Sequence, residues 1–340
     1  RVTDVRARVT DVRARVTDVR DRSDGSATCY MADVYDRLDG VARGAVKYLR
    51  VSQRVGWPLD DQIGAMRWIP GNAWQRQFGF WSWAPVRVIG TIPVEEDGSA
   101  HFKVPANKAV YFQALDEDYM ELRRMRSHVT FQPGETRGCT GCHESQMRSP
   151  QHSWHAPTAL CGEPREPTPP AWGADRLLGY EWLIQPIFDR RCVRCHGAEK
   201  TEGEIDLTAA KTEDGFCRSF ATLFGQTGDA SGTGKSSEAG KVLVSVSNRL
   251  GGASVTQPKQ FGSHRSRLIA LLKNDSLHRT ESALSRAEWI ALVTWIDANA
   301  PYYDTFFNRR PEDGGPPRRD ILFRVEGVSG NEPVEKPATH

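Results

Sequence analysis

The sequence predicts an α+β protein: a β-rich, sandwich-like domain followed by an α-helical one. Three observations predict it. Between residues 26 and 131, short runs of β-branched and aromatic residues recur with turn residues between them. A stretch dense in proline follows, with Pro150, Pro157, Pro164, Pro167, Pro169 and Pro170. Beyond it, apolar side chains recur at helical spacing. The expected organisation is a repeat leader over 1–25, a β-rich domain over 26–148 and a Pro-rich linker over 149–174. A helical domain over 175–307 and a flexible tail over 308–340 complete it.

Each element has its own signal. Residues 1–21 repeat RVTDVRA, and Val2, Val5, Val9, Val12, Val16 and Val19 alternate spacings of three and four. That is a heptad pattern, but Val, Thr and Asp propagate a helix poorly, so the leader reads as low-complexity sequence before coiled coil. It starts with Arg rather than Met, so the chain reads as a fragment or a processed form. Strands are expected in ATCYMADVY (27–35), AVKYLRVSQ (45–53), VRVIGTIPV (86–94), AHFKVPA (100–106) and AVYFQALDED (109–118), with an EEDGS turn before the fourth. MELRRMRSHVTF (120–131) reads as one more strand, turned by QPGET. Trp57, Trp68, Trp74, Trp81 and Trp83 crowd the middle and read as core before cofactor contacts.

In the helical part, LLGYEWLIQPIFDRR (177–191) carries an apolar stripe in which Pro186 either kinks the helix or starts a second one. Residues 225–240, rich in Gly and Ser, read as an exposed loop. Ser285 and Glu288 form a capping box for the last helix. Trp289, Leu292, Val293 and Ile296 then share one face, and Pro301 ends it.

Composition narrows the function classes. With 340 residues, 26% charged and 39% hydrophobic, the chain is long enough for two domains and a sizeable core. A net charge of +2 supplies no field that would recommend nucleic acid or an anionic membrane as partner. No run of eighteen apolar residues is present to span a bilayer.

Chemistry concentrates in two short motifs. GCTGCHE (138–144) and DRRCVRCHG (189–197) each hold two cysteines three apart with a histidine after the second. CxxCH suits covalent attachment of haem c: two thiols one turn apart add to the two vinyl groups of one porphyrin, and the histidine sits under the iron. The sets are Cys139, Cys142 and His143, then Cys192, Cys195 and His196. With 7 Cys and 9 His in the chain, chance places one CxxCH roughly 0.004 times, and two far more rarely. Zinc is the rival, because paired CxxC units also make zinc knuckles and would give a zinc-stapled binding protein. The pairs lie about fifty residues apart, however, and zinc needs no histidine beside each second cysteine. Redox disulfides are a third reading.

Two covalent haems c are therefore expected, with the helical region a cytochrome c-like domain and an extracytoplasmic, periplasmic location. Of the other cysteines, Cys29, Cys161 and Cys217, at most two can pair, and Cys161–Cys217 is one pairing. The sixth ligand of the second iron is expected from the loop KNDSLHRTESALS before the last helix, which makes His278 the first candidate and His264 the second. Bis-His ligation would set a lower potential than His/Met. For the first iron, Met147, His152, His155 and His128 are near in sequence; Met147 lies too close to His143 to reach the opposite face easily, so His152 and His155 are better placed, and an open position is an equal reading. An open iron would turn an electron carrier into an oxidoreductase acting on a small nitrogen or oxygen substrate.

DVYDRLDGVARGAVKYLRV, DGSAHFKVPANKAVYFQALDED and MRSHVTFQPGETRGCTGCHE resemble the middle domain of the hydrazine synthase α-subunit family. IQPIFDRRCVRCHG, IDLTAA, FGSHRSRLIALL and LSRAEWIALVTWIDANAPYYDT resemble its C-terminal haem domain, in the same order, over roughly residues 27–306. The resemblance implies a periplasm-type dihaem protein working with redox partners or other subunits. It implies a reactive haem at His143 and a bis-His relay haem at His196 and His278, in an enzyme that joins hydroxylamine-level nitrogen to ammonia. In the family a tyrosine shortly after the first motif holds the iron and frees the motif histidine for zinc, beside which Cys29 could be a ligand, though Cys29 reads first as a buried structural cysteine. ESQMRSPQHSWH (144–155) contains no tyrosine, and the β-propeller that precedes the middle domain in the family has only the repeat leader in its place.

Overall fold

The computed structural model describes residues 25–55, 85–125, 127–142, 156–199, 201–212, 215–225, 242–246, 257–302 and 304. The repeat leader, the five tryptophans between 57 and 83, the Gly/Ser-rich loop and the tail lie almost wholly outside them.

Seven strands form two sheets. β1 (Ser26–Met31), β4 (Ala100–Pro105) and β7 (Thr136–Cys139) make a three-stranded sheet in the order β4-β1-β7. β2 (Tyr48–Arg54), β3 (Val86–Pro93), β5 (Val110–Leu115) and β6 (Glu121–Arg124) make a four-stranded one in the order β3-β2-β5-β6. Alternation in β1 and β4 turns Cys29, Met31, Phe102 and Val104 inward, where they meet Leu49, Val51, Ile92 and Phe112 of the facing sheet. Phe102 and Phe112 close the gap edge to face, with centroids 5.5 Å apart. This is the expected sandwich-like packing.

Two strand expectations change. The run 120–131 is a strand only over β6; the chain leaves the sheet after Arg124 and returns at Val129, which bridges Val110. β7 was not expected, because TRGC shows no apolar alternation of its own. It is held by parallel pairing to β1, with Tyr30 opposite Gly138 and Met31 opposite Cys139. A Cβ on Gly138 would lie 2.1 Å from the Tyr30 ring, so a larger residue there would require that ring to move. The Pro-rich stretch runs across the open edges of both sheets. Thr168 exchanges two 2.9 Å backbone hydrogen bonds with Thr91 beside β3, and Arg165 bonds to His101 and Lys103 of β4.

The helical part starts with a π-helical turn, Tyr180–Ile184, that runs into α1 (Gln185–Arg191) with Pro186 in its first turn. Pro186 therefore starts a helix rather than kinking one. α2 (Arg218–Leu223), α3 (Arg267–Asn274), α4 (Ser276–Ser282) and α5 (Arg286–Asp297) follow. The capping box at α5 is complete: Ser285 N donates to Glu288 Oε2 and Glu288 N to Ser285 Oγ. Tyr180, Phe220, Trp295 and Tyr302 form the aromatic centre of this core.

From Ala291 to Asp297 every residue of α5 is buried, where the sequence predicts a single apolar face. The reason is the four-stranded sheet, whose second face packs against the helices and contributes Val86, Val88, Tyr111 and Met120 to their core. Polar groups stitch this seam. Asp297 accepts hydrogen bonds from Ser263 N (2.7 Å), Ser263 Oγ (3.0 Å) and Glu121 N (2.9 Å). Arg50 Nη1 lies 3.9 Å from its carboxylate, with both side chains at 1% exposure or less. Gln113 donates to the Asp297 carbonyl, and Arg124 pairs with Glu121 at 2.6 Å. Burial pushes the Asp297 and Glu121 carboxyls up, and the two arginines counter it.

Candidate functional site at the two cysteine motifs

The second motif is built by the end of α1. Cys192 N bonds to Phe188 O (2.8 Å), and His196 N bonds to Cys192 O (2.9 Å), so the CxxCH segment continues as a single turn. That places Cys192, Cys195 and His196 on the rim of one cavity of about 320 Å3. Its walls are apolar, from Ile205, Leu207, Leu243, Leu268, Leu272 and Leu277, and His278 stands in the same lining.

His278 was expected in a loop; the structure places it on α4, whose N-cap is Asp275. The rings of His196 and His278 are nearly parallel, 10° apart, with centroids separated by 6.2 Å. Both rings are tethered through the same atom. His196 Nδ1 lies 2.9 Å from Glu202 O, and His278 Nδ1 lies 2.8 Å from Asp275 Oδ1. Both acceptors are oxygens, so each ring is placed to donate from Nδ1, which in the neutral ring leaves Nε2 as the atom available to a metal. Hydrogen bonds from His278 N and from its ring hold the Asp275 carboxyl below the usual carboxylate range.

These residues fit an iron porphyrin. A largely apolar cavity bounded by two thiols on one turn and by two imidazoles carries the groups that would anchor and ligate an iron porphyrin. Burial, with a further push from Cys195, raises the Cys192 thiol to about 11. Such a thiol is a poor nucleophile at neutral pH, unlike the cysteines of redox CxxC motifs.

His264, the second candidate for the sixth position, does not face this cavity. It sits in a 3-10 turn, Ser263–Arg265, with Nε2 3.0 Å from Asp116 Oδ2 in the β5–β6 turn. Burial alone would raise the Asp116 carboxyl, but the His264 and backbone hydrogen bonds bring it below the usual range.

The first motif has a different setting. Cys139 is the last residue of β7, and its carbonyl accepts from Ala32 N at 2.8 Å. Thr140 O accepts from Asp33 N, and Gly141 lies against the Asp36 backbone. Cys139 and Cys142 pack on the sandwich core, whereas Cys192 packs on the helical core. Burial, then the neighbouring Cys139, pushes the Cys142 thiol up to about 12. A cavity of about 650 Å3 opens beside Thr140, lined by Asp33, Asp36, Arg43 and Asp97 among others. His143, Met147, His152 and His155 lie outside the described residues. His128 is exposed on the loop after β6 rather than on a strand.

The other cysteines are placed plainly. None of the seven forms a disulfide: Cys161 is exposed, while Cys217 is buried beside the Tyr302 hydroxyl, 3.2 Å away. The Cys161–Cys217 pairing is therefore not formed. Cys29 is fully buried in the sandwich core. Among the described residues, no group of three or more His, Cys, Asp or Glu side chains is placed to hold a metal ion. Asp275 is the site residue that sequence reading missed; an Asp three residues before a candidate ligand histidine is an N-cap signal that also puts a carboxylate beside its ring.

Comparisons with known proteins meet this geometry. Residues 44–144 match the family described as hydrazine synthase alpha subunit middle domain. Among solved structures, Kuenenia stuttgartiensis hydrazine synthase matches with a TM-score of 0.54 and 16% identity. The match covers 82% of this chain and 43% of that one, so the chain spans less than half the length of its structural relative. No curated protein sequence matches the chain. Among the described residues, no helix is long and apolar enough to cross a membrane. Residues 44–144 thus carry the sequence pattern of the hydrazine synthase alpha subunit middle domain, within a fold that the chain shares with hydrazine synthase.

Proposed function

We propose that the chain is a dihaem c-type protein related in function to hydrazine synthase, with a relay haem at the second motif and a reactive haem at the first. The observation that carries the proposal is the pair of parallel imidazoles, His196 and His278, 6.2 Å apart across an apolar cavity that also holds both cysteines of the motif. When bound, the two haems supply one-electron chemistry at the second site and small-molecule redox chemistry at the first.

The residues divide that work. Cys192 and Cys195 would hold the second haem, with His196 and His278 as the side chains available to ligate its iron. The leucine side of the cavity would put apolar surface against the porphyrin. Cys139 and Cys142, at and just after the end of β7, would anchor the first haem with His143 of the same motif, near a cavity lined by Asp33, Asp36, Asp97, Arg37 and Arg43. That room favours an oxidoreductase acting on a small nitrogen compound over a simple carrier. Covalent haem c places the protein in a periplasm-type compartment, and a relay haem calls for a redox partner protein or further subunits. Zinc stapling of the two pairs is disfavoured by their packing on separate cores.

The test is an absorption spectrum of protein matured with the haem c attachment machinery, reduced, with and without carbon monoxide. Two covalent haems per chain, of which about half the absorbance shifts with carbon monoxide, is the expected result. Two haems that both ignore carbon monoxide would make the chain a carrier, and no haem would remove the proposal.

A further inference from the structure

We infer that Asp275 is a positioning residue that sets the reduction potential at the second site, acting through His278. The inference rests on the bis-His reading above and deepens it. The two axial imidazoles are tethered at the same atom but by unlike partners: His196 Nδ1 by the neutral Glu202 carbonyl at 2.9 Å, His278 Nδ1 by the Asp275 carboxylate at 2.8 Å. A carboxylate that accepts the Nδ1 proton makes the ring a stronger donor through Nε2 and stabilises the more positive, oxidised state of a metal bound there. A carbonyl does so less.

Asp275 has a second task that fixes the geometry of the first. The same oxygen, Oδ1, accepts from His278 N at 2.9 Å, as the N-cap of α4. One carboxylate thus starts the helix and orients the ring that the helix carries. At the other end of α4, Glu281 pairs with Arg194, which lies between the two cysteines of the motif. The His278 helix is therefore clasped at both ends, and only the Asp275 clasp touches the ring.

Charge and cap can be separated. Asn and Ser are as good at the N-cap as Asp, so Asp275→Asn keeps the cap and a neutral acceptor, while Asp275→Ser keeps the cap and shortens the side chain away from the ring. The experiment is a spectroelectrochemical titration of the haem-loaded full chain, wild type against both variants, with low-spin spectra recorded alongside. The Cys139→Ala/Cys142→Ala variant identifies which wave belongs to the second haem.

The expected result is a higher midpoint in both variants, by at least a threefold change in the oxidised/reduced ratio at fixed potential, about 28 mV for a one-electron couple at 59 mV per tenfold. Both haems should stay attached and the second low-spin. An unchanged midpoint with low-spin bis-His spectra overturns the role of Asp275 and leaves the haem reading standing. Absence of a haem at Cys192 and Cys195 in the wild type overturns both, and the two failures are told apart by the haem content alone.

Discussion

The same five-residue motif occurs twice in this molecule and is set in two unlike places. The second copy ends a helix, opens on a leucine-lined cavity and faces a second imidazole whose tether mirrors that of the first. The first copy ends a strand, packs on a sandwich core and stands beside a larger cavity whose walls mix aspartates with arginines. Under the dihaem proposal the motif sets where a porphyrin would be attached, and its surroundings set whether the iron would be closed on both sides or left with room for chemistry. Helix ends suit the closed case, because a short following helix such as α4 can bring a second ligand over the cavity.

Breaking the motifs one at a time gives the largest effect. Cys192→Ala/Cys195→Ala should lose one covalent haem and keep the other, and Cys139→Ala/Cys142→Ala should do the converse, as read by haem staining and intact mass. A chain that kept two haems in either variant would end the comparison. Next in size, His278→Ala should open the second iron, so that carbon monoxide shifts the absorbance of both haems, and added imidazole should reverse the change at the second only.

The seam between sheet and helices is the next lever. Asp297→Ala strands the buried Arg50 guanidinium, and breaking such a pair from one side costs about 3–5 kcal/mol. Urea unfolding should show that loss; a change under about 1 kcal/mol would mean that the two halves do not depend on this network. The smallest effect is expected at Glu288, which ties the start of α5 to Arg190 (3.1 Å) and Arg191 (3.0 Å) just before the second motif. Partial burial works against its ionisation, but the Ser285 and arginine hydrogen bonds hold the carboxyl at about 2, against an ordinary 4.5. A lowered acid stabilises the fold above its unfolded value, so this contribution is complete above about pH 4.5 and is lost as pH falls toward 2. Glu288→Gln should flatten that part of the stability–pH curve, measured by thermal melting, without changing the first haem.

Much of this was legible in residue patterns, and the misses have physical causes. β1 to β5 and the capped α5 announce themselves through alternation, β-branching and the Ser285/Glu288 box. β7 does not, because its stability comes from parallel pairing with a strand more than a hundred residues earlier. The second apolar face of α5 was hidden for a similar reason: it is covered by a sheet whose outer face is polar in sequence, with Arg50, Ser52 and Gln113 buried only because they bond one another and Asp297. At the site, the spacing of Cys192, Cys195 and His196 was visible, and His278 followed from its place before the last helix. The ranking of His278 above His264 came from that place in the sequence; the fold adds that His264 is turned toward Asp116. Asp275 was invisible as a ring partner until α4 was seen to begin on it.

The most direct test of the account is the reduced absorption spectrum of the haem-loaded Cys139→Ala/Cys142→Ala protein, with and without carbon monoxide. The account predicts a haem c spectrum of one low-spin haem that carbon monoxide leaves unchanged. A spectrum that shifts with carbon monoxide, or a protein with no haem, would contradict it.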